Sequence, residues 1–469
     1  MCKKILCDGV KKGDVIMKKE KIVIIGSGSQ FTEFFLQELF KYEEFRGCTL
    51  ALVDRKPNRL KHEVELANRI NKTMEGELTV EGHTERKDAL LGANYVYCFI
   101  AVNSKEAWKK EFELCNKHGI NPYEAYTVGA PGLNFSIRHV PVMLDIAKDM
   151  QKLCPDAWLI LDNNPLSKIL AALERHSDVK WIGYCNGHEM IQMALEQLLG
   201  RDERTHLRDA DPIEREFMVP SGNVDILLAG INHLQWVTDI RDSATGEDLY
   251  PLVMKTIKNM KAGEFPAGYR FIFESAKQLG FVCSPADNHV GDYLWFIDRK
   301  TADRCSLKPY PVDQWFGGRM ANDWEEIVAR YDSDESIKNY VSQRRIGWLS
   351  LQIARYLMTS GQKYHPAVNL MNKGAISNLT HDIVVELPAV IGPDGPKAVQ
   401  YGALPEGVAP YCQLIGSITN IVADAAATGS RKLALQALLL DPSIHSATVA
   451  EALLEDMLAY NRQYYTRFE

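Results

Sequence analysis

From residue 21 to about residue 200, short apolar runs ending at a glycine or a polar tip alternate with stretches of helical period. Residues 21–29, KIVIIGSGS, read as a buried strand running into a Gly-x-Gly turn, and the helical pattern of 32–42 follows. A second strand is TLALVD at 49–54, with a helix over 58–73, a polar strand around 78–80 and a buried strand, NYVYCFIAV, at 94–102. Residues 108–118 predict a helix, 121–134 (NPYEAYTVGAPGLN) a Gly/Pro loop, 137–153 a long amphipathic helix and 158–161 (WLIL) the next strand. The apolar run from Trp181 then ends in Cys185, Asn186, Gly187, His188 and Glu189. Strand and helix alternating in this way predict an α/β fold with a Rossmann-type, doubly wound parallel sheet. Ligands of such sheets bind beyond the carboxyl ends of the strands, so the polar tips are candidate chemistry.

The pattern changes after the polar segment 201–216. Strands resume over 224–237, interrupted by a turn at 230–233, and helical period returns at 266–279. Residues 325–358 predict one long helix, 369–378 a loop, 382–388 a strand and 408–463 an almost wholly helical end. Length and pattern together divide the chain into a leader at 1–20, expected to be disordered, a dinucleotide-binding domain at 21–200 and an α+β domain at 201–469.

Composition narrows the function. A net charge of −7 without a basic block argues against nucleic acid or an anionic membrane surface as partner. No run approaches the ~20 apolar residues of a membrane span, and the basic N-terminus lacks the apolar segment of a secretory signal. Ten cysteines stand singly, with no CxxC pair, which reads as reduced thiols in a cytoplasm.

The glycine turn Gly26, Ser27, Gly28, Ser29 opens backbone N–H groups to a pyrophosphate, although Phe31 takes the place of the usual third glycine. Asp54, at the second strand tip, is the right kind of residue to bind the adenosine ribose, and favours NAD over NADP despite the neighbouring Arg55. Asn103 ends the strand nearest the expected cofactor, and Asn164 lies at a proline-fixed tip suited to sugar hydroxyls or nicotinamide. Residues 281–296 concentrate Asp287, His289, Asp292 and Tyr293 within seven positions.

The order of these motifs resembles glycoside hydrolase family 4, the NAD- and metal-dependent glycosidases, over about residues 20–460. The likeness is carried by GSGS at 26–29, VGAPG at 128–132, the segment PVMLDIAKDMQKLCPDAWLI, NP at 164–165, Cys185 and GINH at 230–233. It continues through the segment from Asp287 to Tyr293, the NxxNxGxIxNL run from Asn369 and GALPEGV at 402–408. The resemblance implies a lactate-dehydrogenase-like Rossmann plan fused to an α+β domain, and a homodimer or homotetramer. It implies NAD held by Gly26, Gly28, Ser29, Asp54 and Asn103, and a divalent cation, usually manganese, on Cys185 and His233. Asn164 and His289 fall to the sugar. Such an enzyme oxidises the sugar at carbon 3, removes the acidified proton at carbon 2, eliminates the aglycone, adds water and returns the hydride; the family is named among the exceptions to two-carboxylate glycosidases. Asp287 is the preferred base, Tyr293 the second choice, and His188 the candidate acid for the leaving group.

Two departures bear on the substrate. Where relatives acting on 6-phosphorylated sugars carry an arginine after the third strand, in an I-R-V-G-G-like run, this chain has IAVNS at 100–104, with Ala101 in the arginine's place, which favours an unphosphorylated glycoside such as a uronide, glucoside or galactoside. In the branch acting on unphosphorylated glycosides His-Glu follows the cysteine at once, whereas here Asn186 and Gly187 separate Cys185 from His188 and Glu189, and an asparagine directly after the cysteine resembles the β-phosphoglucosidase branch instead. A net dehydrogenase of a 2-hydroxy acid or polyol, and a catalytically silent NAD-binding protein, are the rival readings.

Overall fold

The computed structural model describes residues 20–202, 220–317, 324–342, 349–464 and 468. The expected leader therefore lies outside the described residues. Six parallel strands form the first half: β1 (Lys21–Ile25), β2 (Thr49–Val53), β3 (Thr79–His83), β4 (Tyr95–Cys98), β5 (Trp158–Leu161) and β6 (Lys180–Gly183). Their order is β3-β2-β1-β4-β5-β6, the doubly wound Rossmann arrangement. Such strands are apolar throughout because both faces are covered. In β1, Ile22 and Ile24 join one core with the helices Phe31–Leu39 and Pro57–Thr73, while Val23 and Ile25 join the core of Gly129–Leu153 and Leu166–His176 on the other face.

The same sheet continues into the second half through β7 (Val224–Ile231), β8 (Leu234–Asp242), β9 (Val282–Ser284), β10 (Lys363–Met371), β11 (Val384–Gly392) and β12 (Gly395–Ala398). The two halves meet where Asn369 of β10 lies opposite Gly183 of β6. Asn369 pairs in turn with Glu386 of β11, Glu386 with Gly230 of β7, Gly230 with Gln235 of β8 and Gln235 with Ser284 of β9. The antiparallel half thus carries a polar row where the parallel half is apolar.

Three sequence expectations change. The expected loop at 121–134 is half helix, because Gly129–Leu153 begins at Gly129 and its first turn accepts Pro131, which has no N–H to lose. Asp441 caps that start, accepting the Ala130 N–H at 3.1 Å. The long helix expected over 325–358 is interrupted between Trp324–Arg330 and Asp334–Ser342, with Ser333 accepting the Ser336 N–H at the break, and helix is described again at Leu349–Met358. The loop expected from Asn369 instead begins inside a strand, since β10 runs to Met371.

Asp441 ties the C-terminal helices to the start of Gly129–Leu153. Replacing it by alanine leaves a buried N–H unpaired and is expected to cost about 1–2 kcal/mol. Urea unfolding should show a lowered midpoint for Asp441→Ala and a smaller loss for Asp441→Asn; an unchanged midpoint would remove Asp441 from the fold's supports.

Candidate active site

At the tip of β1 the chain turns through Gly26 to Ser29 with Asp54 beside it. Asp54 Oδ2 accepts the Gly28 N–H at 2.9 Å and pairs with Arg59, while Oδ1 accepts the Lys56 N–H at 2.8 Å. A Cβ on Gly28 would lie 2.1 Å from Asp54 Oδ2 and 2.0 Å from Arg59 Nε, so only glycine lets turn and acid approach this closely. Ser27 donates to Glu63, whose carboxyl burial pushes up to about 7. Trp324, from the second half, donates its indole N–H to the Gly28 carbonyl at 3.0 Å and closes over the turn. The strand expected at 94–102 ends at Cys98, so Asn103 is not its tip but the left-handed residue that opens the helix Ser104–Lys117, with its amide on the Tyr464 hydroxyl at 2.5 Å.

A second constellation gathers beyond β6. Cys185 leaves that strand, and His233 occupies the two-residue turn between β7 and β8, in the left-handed region at φ 65°. Burial pushes the Cys185 thiol up, and the neighbouring His233 pulls it back. Glu124, fully buried, is the hub: its Oε1 lies 3.5 Å from His233 Nδ1 and 3.1 Å from His289 Nε2, and its other oxygen accepts from Thr127. Burial opposes charge on Glu124, but the two imidazoles outweigh it and hold the carboxyl below its usual range. Only one imidazole can share that charge fully. Burial lowers both; Glu124 and Cys185 overcome it at His233, which is raised, whereas at His289 burial, helped by the His233 charge, outweighs Glu124 and the imidazole falls to about 4. The donor atoms of Glu124, His233 and His289 lie within 4.8 Å of one another, a set able to hold a cation.

The polar segment 281–296 divides by the neighbours each side chain meets. Asp287 accepts the Ile272 N–H at 3.0 Å at the start of the helix Arg270–Leu279, and Asp292 accepts those of Tyr123, Glu124 and Ala125 at 2.6, 2.8 and 3.0 Å. Both acids serve backbone N–H groups, whereas His289 faces Glu124 and Tyr293 meets Thr127. The structure therefore brings Cys185, His233, His289 and Tyr293 together and turns Asp287 toward a helix terminus.

His188 is buried in the first turn of Gly187–Leu198, and burial pushes it down to about 4. Glu189 beside it is pushed up to about 8, again by burial. Asn164 gives its amide to the Tyr126 hydroxyl at 3.2 Å, while both side-chain polar atoms of Asn163 are buried without a hydrogen bond. Sequence reasoning missed Glu124, Glu386 and Lys168. Glu124 is the acid of the loop 121–134, the one signal that could have found it. Glu386 accepts from Asn232 Nδ2 at 2.9 Å and so braces the turn that carries His233. Lys168, buried, donates to the Thr127 carbonyl at 2.5 Å and fixes the loop below Glu124.

Comparison with known proteins places this geometry. The sequence profile of Family 4 glycosyl hydrolase matches residues 21–201, and that of the Family 4 glycosyl hydrolase C-terminal domain matches 228–444. The chain is 28% identical to an alpha-galactosidase of Bacillus subtilis (strain 168), covering 94% of this chain and 96% of that protein. It is also 28% identical to a probable 6-phospho-beta-glucosidase of the same organism, covering 96% and 98%. A 6-phospho-alpha-glucosidase from gut microorganisms, solved in complex with NAD and Mn2+, superposes with a TM-score of 0.76 at 22% identity, covering 96% of this chain and all of that one. With both profiles matched in order along most of its length, the chain belongs to family 4 of the glycosyl hydrolases.

Proposed function

We propose that this family 4 glycosyl hydrolase is an NAD- and divalent-metal-dependent glycosidase acting on an unphosphorylated glycoside: a uronide, glucoside, galactoside or another sugar with an acidic group at carbon 6. The observation that carries the reading is the pairing of two sites along one sheet, the glycine turn with Asp54 at β1 and β2, and Cys185 beside His233 beyond β6. A thiolate and imidazoles suit a transition metal, and Glu124 Oε1 and His233 Nδ1 are buried without a well-formed hydrogen bond, as cation donors are in an apo protein. Manganese fits the resemblance and the similar 6-phospho-alpha-glucosidase solved with NAD and Mn2+. Equal identity to an alpha-galactosidase and a probable 6-phospho-beta-glucosidase leaves substrate phosphorylation to local residues. Ala101, in the place of the arginine of the phosphate-acting branch, offers no guanidinium for a phosphate. A cytoplasmic homodimer or homotetramer, with a dinucleotide-binding half at 21–200 and a catalytic half at 201–469, completes this reading.

When bound, NAD supplies a hydride acceptor for carbon 3 of the sugar and the cation a Lewis acid for its oxygens. Gly26, Gly28, Ser29, Asp54 and Asn103 bind and orient the dinucleotide; Cys185 and His233 hold the cation; Asn164 and His289 orient the sugar. Tyr293 is proposed as the base that accepts the carbon-2 proton at its phenol oxygen, in preference to Asp287, because the Asp287 carboxylate is engaged with a helix N-terminus. Burial and the Glu124 charge raise the Tyr293 phenol, and a divalent cation held by Cys185 and His233 would oppose that shift. For the leaving-group acid, Glu189 replaces His188: the buried imidazole is neutral at physiological pH, whereas Glu189 keeps a proton to give.

A panel of aryl glycosides turned over in heavy water with NAD and Mn2+ should place deuterium at carbon 2 of the released sugar without accumulating NADH. Steady NADH formation would instead mark a dehydrogenase, and cleavage without exchange would sink the redox mechanism. Tyr293→Phe should lose the exchange and at least ~100-fold in kcat; exchange retained in that variant returns the base to Asp287.

Glu189→Gln should slow glycosides of poor leaving groups far more than nitrophenyl glycosides, and equal slowing would dismiss it as the acid. For Asp287, burial above all raises the folded carboxyl to about 7 from the ordinary 3.8. Its stabilising contribution is present below about pH 4 and is lost as pH rises through about 7. Asparagine does not ionise, so the stability deficit of Asp287→Asn should shrink between pH 4 and 8; a deficit that grows would mean that the backbone N–H groups outweigh burial and hold the carboxyl below its ordinary value.

A further inference from the structure

The reading above gives the cation two protein ligands, but the atoms that face His233 outnumber that. Glu124 Oε1 and His233 Nδ1 are 3.5 Å apart, and Glu124 Oε1 and His289 Nε2 are 3.1 Å apart. Donors held at about 2.1 Å from one ion stand about 3.0 Å apart across an octahedral edge and about 3.4 Å across a tetrahedral one. Both observed separations match such edges.

A carboxylate that only oriented the His233 ring would accept its N–H in a short, aligned hydrogen bond. Here Glu124 Oε1 and His233 Nδ1 are both buried without a well-formed hydrogen bond. Glu124, His233 and His289 are 0%, 3% and 7% exposed, so no bulk water satisfies them. The His233 and His289 rings meet edge to face with centroids 4.6 Å apart, which converges their nitrogens instead of stacking them. Everything around Glu124 also fixes it: Asp292 holds the backbone of 123–125, Thr127 occupies Oε2, and Lys168 holds the Thr127 carbonyl. That leaves Oε1 aimed at the two imidazoles.

We infer that Glu124 and His289 are further protein ligands of the divalent cation, sharing it with His233. The inference rests on the metal-dependent reading of this site. It moves His289 from sugar recognition to the cation, and it changes what the site asks of a substrate. Glu124, His233 and His289 together take three positions of an octahedral ion, so fewer remain for substrate oxygens than two protein ligands would leave.

The test uses the full-length protein freed of metal by chelator dialysis, without NAD or substrate. Mn2+ is titrated and its free signal read by electron paramagnetic resonance; Co2+ is titrated and its visible d–d absorption read. Glu124→Gln and His289→Asn should each weaken Mn2+ binding about ten- to hundredfold and change the Co2+ spectrum, while NAD affinity and the melting temperature of the metal-free protein stay near those of the parent. Should Glu124→Gln fold poorly, His289→Asn carries the test.

Unchanged Mn2+ affinity in these variants, with Cys185→Ser or His233→Asn still weakening it, would overturn the inference and leave the metal-dependent reading intact. Weaker binding with an unaltered Co2+ spectrum would make Glu124 and His289 orienting groups and also overturn it. A parent protein that takes up neither ion would refute both the inference and the reading beneath it.

Discussion

The join between Gly183 and Asn369 sets the geometry of everything beyond it. A Cβ at Gly183 would lie 2.4 Å from Leu170 Cδ1 and 2.8 Å from the Asn369 Cβ, so a side chain there would push the antiparallel half of the sheet away from the parallel half. With glycine the two halves share one sheet. Cys185 then leaves β6 two residues past the join, and the β7–β8 turn delivers His233 to it. The site is thus assembled across the boundary between the halves, and neither half holds it alone.

The polar row that crosses the second half is the electrostatic counterpart of this join. Asn369, Glu386 and Gln235 are fully buried, and burial, opposed by Asn232, His233, Gln235 and Asn369, leaves the Glu386 carboxyl above its ordinary value. A buried carboxylate without a cation is costly. Two buried acids, Glu124 and Glu386, flank His233 on different elements; both favour positive charge on its imidazole, the kind of charge a divalent ion would also supply. Stability and function therefore place the same demand on this turn.

How much of this was legible in the sequence differs between the halves for physical reasons. Strands buried on both faces must be apolar runs, and their tips must carry glycine or polar residues, so β1, β2, β5 and β6 stood out together with Gly26, Gly28, Asp54 and Cys185. His233 emerged only from the order of motifs, because one histidine in a turn carries no periodic signal. Glu124 was hidden in a Gly/Pro stretch whose second half proved to be the first turn of a helix. In the segment 281–296 composition announced chemistry but could not divide it. Residues 287 and 292 turned to backbone N–H groups, and 289 and 293 to Glu124 and Thr127, an outcome set by tertiary neighbours on the loop 123–127 and the helix Arg270–Leu279.

That division also explains why so many charged groups surround the site without reacting. Asp292, Lys168 and Asp441 each secure a part of the stretch 123–130, by three backbone N–H groups, a carbonyl and a helix start respectively. Reaction at a sugar carbon requires donors fixed to within fractions of an ångström before the substrate arrives. A loop of this length, containing Ala125 in the left-handed region, would not hold Glu124 to that tolerance by its own turns. The buried charges around it do so by holding the backbone at 123–125, 127 and 130, and Thr127 occupies the second carboxyl oxygen, which leaves Glu124 Oε1 facing the two imidazoles.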